Sequence, residues 1–190
     1  ADSKLLTTGN IRGNVDLAVD AALGVKGDVI GWLRTAKYTE VFIKGKLEFN
    51  DPANSELTSE SIVFGCNSKN KIAGGIIADT SGVHLKQWAK LDTAFIRLIS
   101  TAGDDSTPNL LSSIRLQRYA NVFTSYGSGD SSVIYPLEEN TGYKDCDERY
   151  YIHYGSAVDH NLQTTALEPS NRLEELWKCR TLNHKELECD

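Results

Sequence analysis

The chain has 190 residues, 40% of them apolar, and a formal net charge of −6. That length suits one domain, 1–190, with a sizeable core, and no apolar run reaches the length of a membrane span. An acidic chain without a basic stripe predicts no nucleic-acid partner, because phosphate neutralisation supplies most of that affinity.

The chain reads without internal repeats and without a linker that would divide it. At the N-terminal end Asn14 is a candidate helix N-cap, with Asp16 in the first turn. Val15, Ala18, Val19, Ala22 and Leu23 recur at helical spacing. Gly24, Gly27 and Gly31 then break the pattern, and Val29, Ile30, Trp32 and Leu33 form a second apolar segment.

From Tyr38 to Phe49 the period switches to two. Val41, Ile43, Leu47 and Phe49 alternate with Glu40, Lys44, Lys46 and Glu48, and only Phe42 breaks the polar set. The segment predicts a half-buried strand ended by Asn50-Asp51-Pro52. Further strands are predicted over 61–66, 71–78, 83–90, 93–100, 110–126, 131–137 and 149–154. Gly74-Gly75 marks a bulge or a close backbone approach, Thr80-Ser81-Gly82 a hairpin turn, 102–109 a loop and 127–130 a turn. In the tail Ser170 caps a predicted short helix carrying Leu173, Leu176 and Trp177 on one face. The fold expected is mainly β, an antiparallel β-sandwich or barrel with one wet face per sheet, an N-terminal helical segment and a short C-terminal helix.

The cysteines at positions 66, 146, 179 and 189 have no metal-motif spacing. Their even number favours two disulfides and a secreted protein. A chain that starts at Ala1 and contains no Met leans the same way. The preferred pairing is Cys66 with Cys146, worth roughly 4–5 kcal/mol in the loop-entropy account, and Cys179 with Cys189, worth roughly 3. The rival is a metal site at Cys179, His184 and Cys189, which still lacks a fourth ligand.

No signature of zincin, α/β-hydrolase, P-loop or Rossmann chemistry is present, and no cofactor is expected. Asp145, Asp147 and Glu148 crowd around Cys146 as a calcium candidate, against the plainer reading of a solvated acidic loop. Glu40 and Glu48 lie roughly 26 Å apart along an extended strand, too far to act as a glycosidase pair.

His84, Lys86, Trp88 and Lys90 share one face by period two, opposite Val83, Leu85, Ala89 and Leu91. Trp88 therefore points away from the apolar side, between cations, as a sugar-stacking or interface residue. Arg115, Gln117 and Tyr119 share one polar face, and Arg149, Tyr151 and His153 share another. If those strands are neighbours, they make a polar aromatic surface for a sugar-like or anionic ligand, or an acid–base site at His153.

The function expected is a secreted binding protein, lectin-like, effector or toxin, that recognises a glycan or another cell-surface molecule through Trp88, His84, Arg115, Tyr119, Tyr151 and His153. A small carbohydrate-active enzyme on a β-sandwich and a structural assembly subunit are the alternatives.

Overall fold

The computed structural model describes residues 3–50, 62–79, 82–99, 108–124, 132–133, 147–154, 159–161, 178–180, 183, 185 and 189. Every described element is a strand. The chain winds in rungs of three short strands. These are β1 (Lys4–Thr7), β2 (Ile11–Arg12) and β3 (Val15–Leu17), then β4 (Ala22–Val25), β5 (Val29–Ile30) and β6 (Leu33–Thr35). β7 (Glu40–Ile43), β8 (Leu47–Asn50) and β9 (Ile62–Phe64) form the third rung, and β10 (Lys69–Ile72), β11 (Ile76–Asp79) and β12 (Val83–Leu85) the fourth. β13 (Lys90–Thr93), β14 (Ile96–Ile99) and β15 (Pro108–Gln117) form the fifth, and β16 (Asn121–Thr124) opens a sixth.

Equivalent strands of successive rungs stack in parallel into three sheets. Sheet A runs β1-β4-β7-β10-β13-β16, sheet B runs β2-β5-β8-β11-β14 and sheet C runs β3-β6-β9-β12-β15. The result is a three-sided parallel β-solenoid, a stack in which each rung touches only its neighbours. Four short strands close its C-terminal end in antiparallel fashion. β17 (Ser132–Val133) pairs with β16, β18 (Glu148–Tyr154) with β15, β19 (Asp159–Asn161) with β14, and β20 (Lys178–Arg180) with β18.

The antiparallel sandwich is thereby corrected. Two-residue alternation shows that a strand has one buried face, and it does so equally for a solenoid, whose sheets all turn one face inward. It carries no information about strand direction. The N-terminal helix is corrected as well. Val15–Leu17 and Ala22–Val25 are strands in different sheets, separated by a four-residue corner. That corner shifts the phase between two short alternating runs, and their sum imitates a 3.6-residue period. The long strands read over 38–49 and 110–126 each bend at a corner into two, and β11 and β12 lie in different sheets with no hairpin between them. The C-terminal helix expected near 170–177 lies outside the described residues.

A repeat is present after all. The register carries Lys4 onto Ala22 and Ala22 onto Glu40, 18 residues each time. It then carries Glu40 onto Lys69, Lys69 onto Lys90 and Lys90 onto Asn121, steps of 29, 21 and 31 residues. The longest steps contain the extra chain between β8 and β9 and between β14 and β15, so both insertions fall at the corner from sheet B to sheet C.

The core is a set of stacked rows running along the coil. Val25, Ile43, Ile72 and Thr93 line sheet A, Val29, Leu47, Ile76 and Ile96 sheet B, and Leu33, Ile62, Val83 and Ile114 sheet C, all buried. Residues in register bury apolar area rung after rung, each contributing at about 25 cal/mol per Å², and Thr93 satisfies its hydroxyl on the Ile72 carbonyl. At the corner between sheets A and B the rungs close to backbone contact: a Cβ on Gly74 would lie 2.4 Å from the carbonyl carbon of Gly45. The close approach read from Gly74-Gly75 is the one that forms.

Candidate ligand-binding face

Each rung leaves sheet C through a tight turn whose third residue has positive φ: Asp20, Tyr38, Asn67, Trp88 and Tyr119, between 56° and 66°. In four of these turns the backbone N–H of the fourth residue donates to the carbonyl of the first, as in Ala89 to Lys86 at 3.1 Å and Ala120 to Gln117 at 3.0 Å. The fourth residue is always small or short and buried: Ala21, Thr39, Ser68, Ala89 or Ala120. A turn of this kind favours Gly or Asn at its third position, and left-handed backbone at a bulky residue costs on the order of 1–3 kcal/mol. Asp20 and Asn67 suit it. Tyr38, Trp88 and Tyr119 do not, yet all three are there and exposed. Local strain repeated at aromatic residues on a surface points to use of that surface.

Trp88 and Tyr119, one rung apart, stack with ring centroids 5.5 Å apart and planes 14° from parallel. Cys189 and Asp147 lie against the turn positions preceding the aromatic column. Cys189 is bonded to Cys66, the Lys37 ammonium donates to the Cys189 carbonyl at 3.5 Å, and Cys189 Sγ lies 3.8 Å from Gln87 Oε1. Asp147 accepts from the Arg118 guanidinium. The aromatic column therefore has Cys189 and Asp147 on one side and leads on the other into β13 and β16 of sheet A.

The outer face of sheet A carries two register rows. One holds Lys4, Ala22, Glu40, Lys69, Lys90 and Asn121, and the other Leu6, Gly24, Phe42, Lys71, Asp92 and Phe123. All of them except Asn121 line a groove of about 600 Å³. Leu6 folds over Gly24, where a Cβ would lie 2.6 Å from Leu6 Cδ2. Phe42 and Phe123 are exposed, and Lys69 makes an exposed ion pair with Glu40 at 3.7 Å.

Of the residues singled out from sequence, Trp88 and Tyr119 come together, and Lys90 follows Trp88 by two residues at the start of β13, in the groove lining. His84 does not join them. It is buried on β12, between Val63 and Arg115 in register, because an outward position on an inner rung is covered by the large side chains on both sides. Arg115 is half-buried on sheet C, and Gln117 is buried, its Oε1 accepting from the Gln87 backbone N–H at 3.3 Å. β15 and β18 are neighbours as anticipated, but their register sets Tyr151 opposite Ile114, Arg149 opposite Leu116 and Tyr150 opposite Arg115. His153 lies opposite Asn109, beyond a register shift. Arg115, Tyr119, Tyr151 and His153 therefore do not share one row.

The disulfide joins Cys66 to Cys189, which displaces both preferred pairings and takes Cys189 out of the candidate metal set. Cys146, His184 and Asp145 lie outside the described residues. Among the described residues no group of three or more His, Cys, Asp or Glu side chains is placed to hold a metal ion. Glu40 on sheet A and Glu48 on sheet B lie on different sides of the coil.

Phe42, Phe123, Lys69, Lys71 and Asp92 were not singled out from sequence. One signal was there: Phe42 is the residue that breaks the polar set of its strand, and an apolar residue on an outward position is the mark of an exposed platform.

The fold and this face together define a parallel β-solenoid with an aromatic-bordered groove on one sheet. No family model matches the chain, and neither a curated protein nor a solved structure matches it. Among the described residues no helix is long and apolar enough to cross a membrane.

Proposed function

We propose that the protein is a secreted carbohydrate-binding module, holding a glycan against the outer face of sheet A and the aromatic column at its border. One observation carries the reading. Trp88 and Tyr119 form an exposed stacked pair on strained backbone beside an open groove with mixed aromatic, cationic and acidic walls. Flat, rigid rings offer large contact area at low entropic cost, which suits the apolar faces of sugar rings. Lysines and carboxylates on the same face suit their hydroxyls and charged groups. The disulfide supports an oxidising compartment.

The test is a broad glycan panel, with affinity for any hit followed by titration calorimetry. Trp88→Ala, at an exposed position, is expected to fold and to weaken binding about tenfold, equivalent to about 1.4 kcal/mol. A panel without a single hit overturns the proposal, and so does a Trp88→Ala, Tyr119→Ala double variant that binds as the native chain does.

A further inference from the structure

Four lysines, Lys4, Lys69, Lys71 and Lys90, line the groove of sheet A against two carboxylates, Glu40 and Asp92. The groove is thus cationic by two charges in a chain of net charge −6. Lys69 is neutralised in part by Glu40. Among the described residues no carboxylate pairs with Lys4, Lys71 or Lys90.

The arrangement of the cations follows from the strands. Lys69 and Lys90 are register partners on adjacent strands, about 4.8 Å apart. Lys71 stands two residues further along β10, about 6.6 Å from Lys69. Phe42 and Phe123 occupy the row of Lys71 and Asp92, three strands from one another, which sets them about 14 Å apart along the coil axis. A ligand that uses both rings and the cations between them must cross the strands, parallel to the coil axis. The rung spacing it meets is close to the advance per sugar of an extended 1,4-linked chain.

Building on the carbohydrate reading above, we infer that the groove takes an acidic glycan, lying along the coil axis, with its carboxylates on Lys71 and Lys90 and ring faces on Phe42 and Phe123. Asp92 accepts from sugar hydroxyls between them. Charge complementarity selects this occupant over a neutral glycan. A surplus of two positive charges is too small for the phosphate neutralisation that carries nucleic-acid affinity, which selects a glycan held by ring stacking as well as by charge.

The experiment titrates the full chain with alginate and with hyaluronate, each beside its carboxyl-reduced neutral counterpart, and with a single-stranded DNA oligonucleotide, at physiological salt. The acidic form of at least one polymer is expected to bind ten times or more tightly than its reduced form. The Lys71→Gln, Lys90→Gln double variant is expected to remove that difference. Trp88→Ala is expected to weaken both forms. Equal binding of acidic and reduced forms, or hits in the wider panel confined to neutral glycans, overturns the inference and leaves the carbohydrate reading standing. No binding to any glycan overturns both. DNA bound as tightly as the acidic polymers also overturns the inference, since the groove would then respond to any polyanion.

Discussion

A Cβ at Gly45 would lie 2.2 Å from Asp28 Oδ1 and 2.5 Å from the Gly27 carbonyl oxygen, with the Gly27 carbonyl carbon at 2.7 Å. Two of those atoms are backbone, held by the rung below, and cannot turn aside. Gly9 occupies the same corner on the first rung, and a Cβ there meets nothing within 4 Å. Gly45→Ala is therefore expected to cost about 2–3 kcal/mol, the upper part of the overpacking range, and Gly9→Ala to stay within about 0.5 kcal/mol. Urea denaturation of the two variants checks it, and equal stabilities would refute the stacking account. The same scale yields a second prediction. Tyr38 holds φ 60° with its ring half exposed, so Tyr38→Asn relieves left-handed strain and is expected to raise stability by about 0.5–1 kcal/mol. A loss of stability would mean that the ring contributes packing that outweighs its backbone strain. At this scale the sequence was partly legible. Alternation over 83–90 sets Trp88 outward on a strand; it is exposed, but on the turn 86–89 that ends β12, so the exposure comes from the corner and not from a strand face. His84 was read the same way and is buried, because alternation reports which side a residue takes and not whether neighbouring strands cover it.

The rung is the unit at the next scale, and its corner carries a side-chain ladder. Asn10 Oδ1 accepts from the Asp28 backbone N–H at 2.8 Å, and Asp28 Oδ1 accepts from the Lys46 N–H, also at 2.8 Å. Each side chain satisfies a backbone donor of the next rung that the turn leaves outside the sheet ladder. Asp28→Ala is expected to cost about 1–2 kcal/mol, while Asp28→Asn keeps an acceptor oxygen and retains most of the stability. Thermal melts of the pair check it, and a loss in Asp28→Asn as large as in Asp28→Ala would show that the charge rather than the ladder matters. This element explains why the repeat went unread. Gly9-Asn10-Ile11, Gly27-Asp28-Val29 and Gly45-Lys46-Leu47 recur at 18 residues, but only two such intervals exist before the insertions stretch the period to 29, 21 and 31. Without a fixed period the short strands look like ordinary sandwich strands, and the outward positions of Phe42, Lys71, Asp92 and Phe123 cannot be aligned into one face.

At the scale of the whole molecule the two ends of the coil differ. The C-terminal end is closed on all three sheets by antiparallel strands, and a disulfide with a sequence separation of 123 ties Cys189 back to the third rung at Cys66. At the N-terminal end β1, β2 and β3 are the edge strands of their sheets. Leu5, in register with buried Leu23 and Val41, is 52% exposed, and among the described residues no strand lies beyond it. A stack whose units interact only with their neighbours loses its ends first. Backbone amides of β1 to β3 are therefore expected to exchange fastest among the rungs, and those of β7, β10 and β13 slowest, by hydrogen–deuterium exchange. Cutting the disulfide acts instead on the middle of the coil, at the second to fourth rungs. Closing a loop of that length restricts the unfolded chain by about 5 kcal/mol in the entropic account, with native strain and residual structure reducing the figure. Cys189→Ser is expected to lower global stability by a large part of that amount and to speed exchange on the rungs that the C-terminal segment touches, those of Lys37, Cys66 and Gln87, while leaving β1 to β3 where they were. Exchange that rises uniformly over all rungs in the variant would show that the coil opens as one cooperative block, and the account of a one-dimensional stack whose rungs are secured separately would fail.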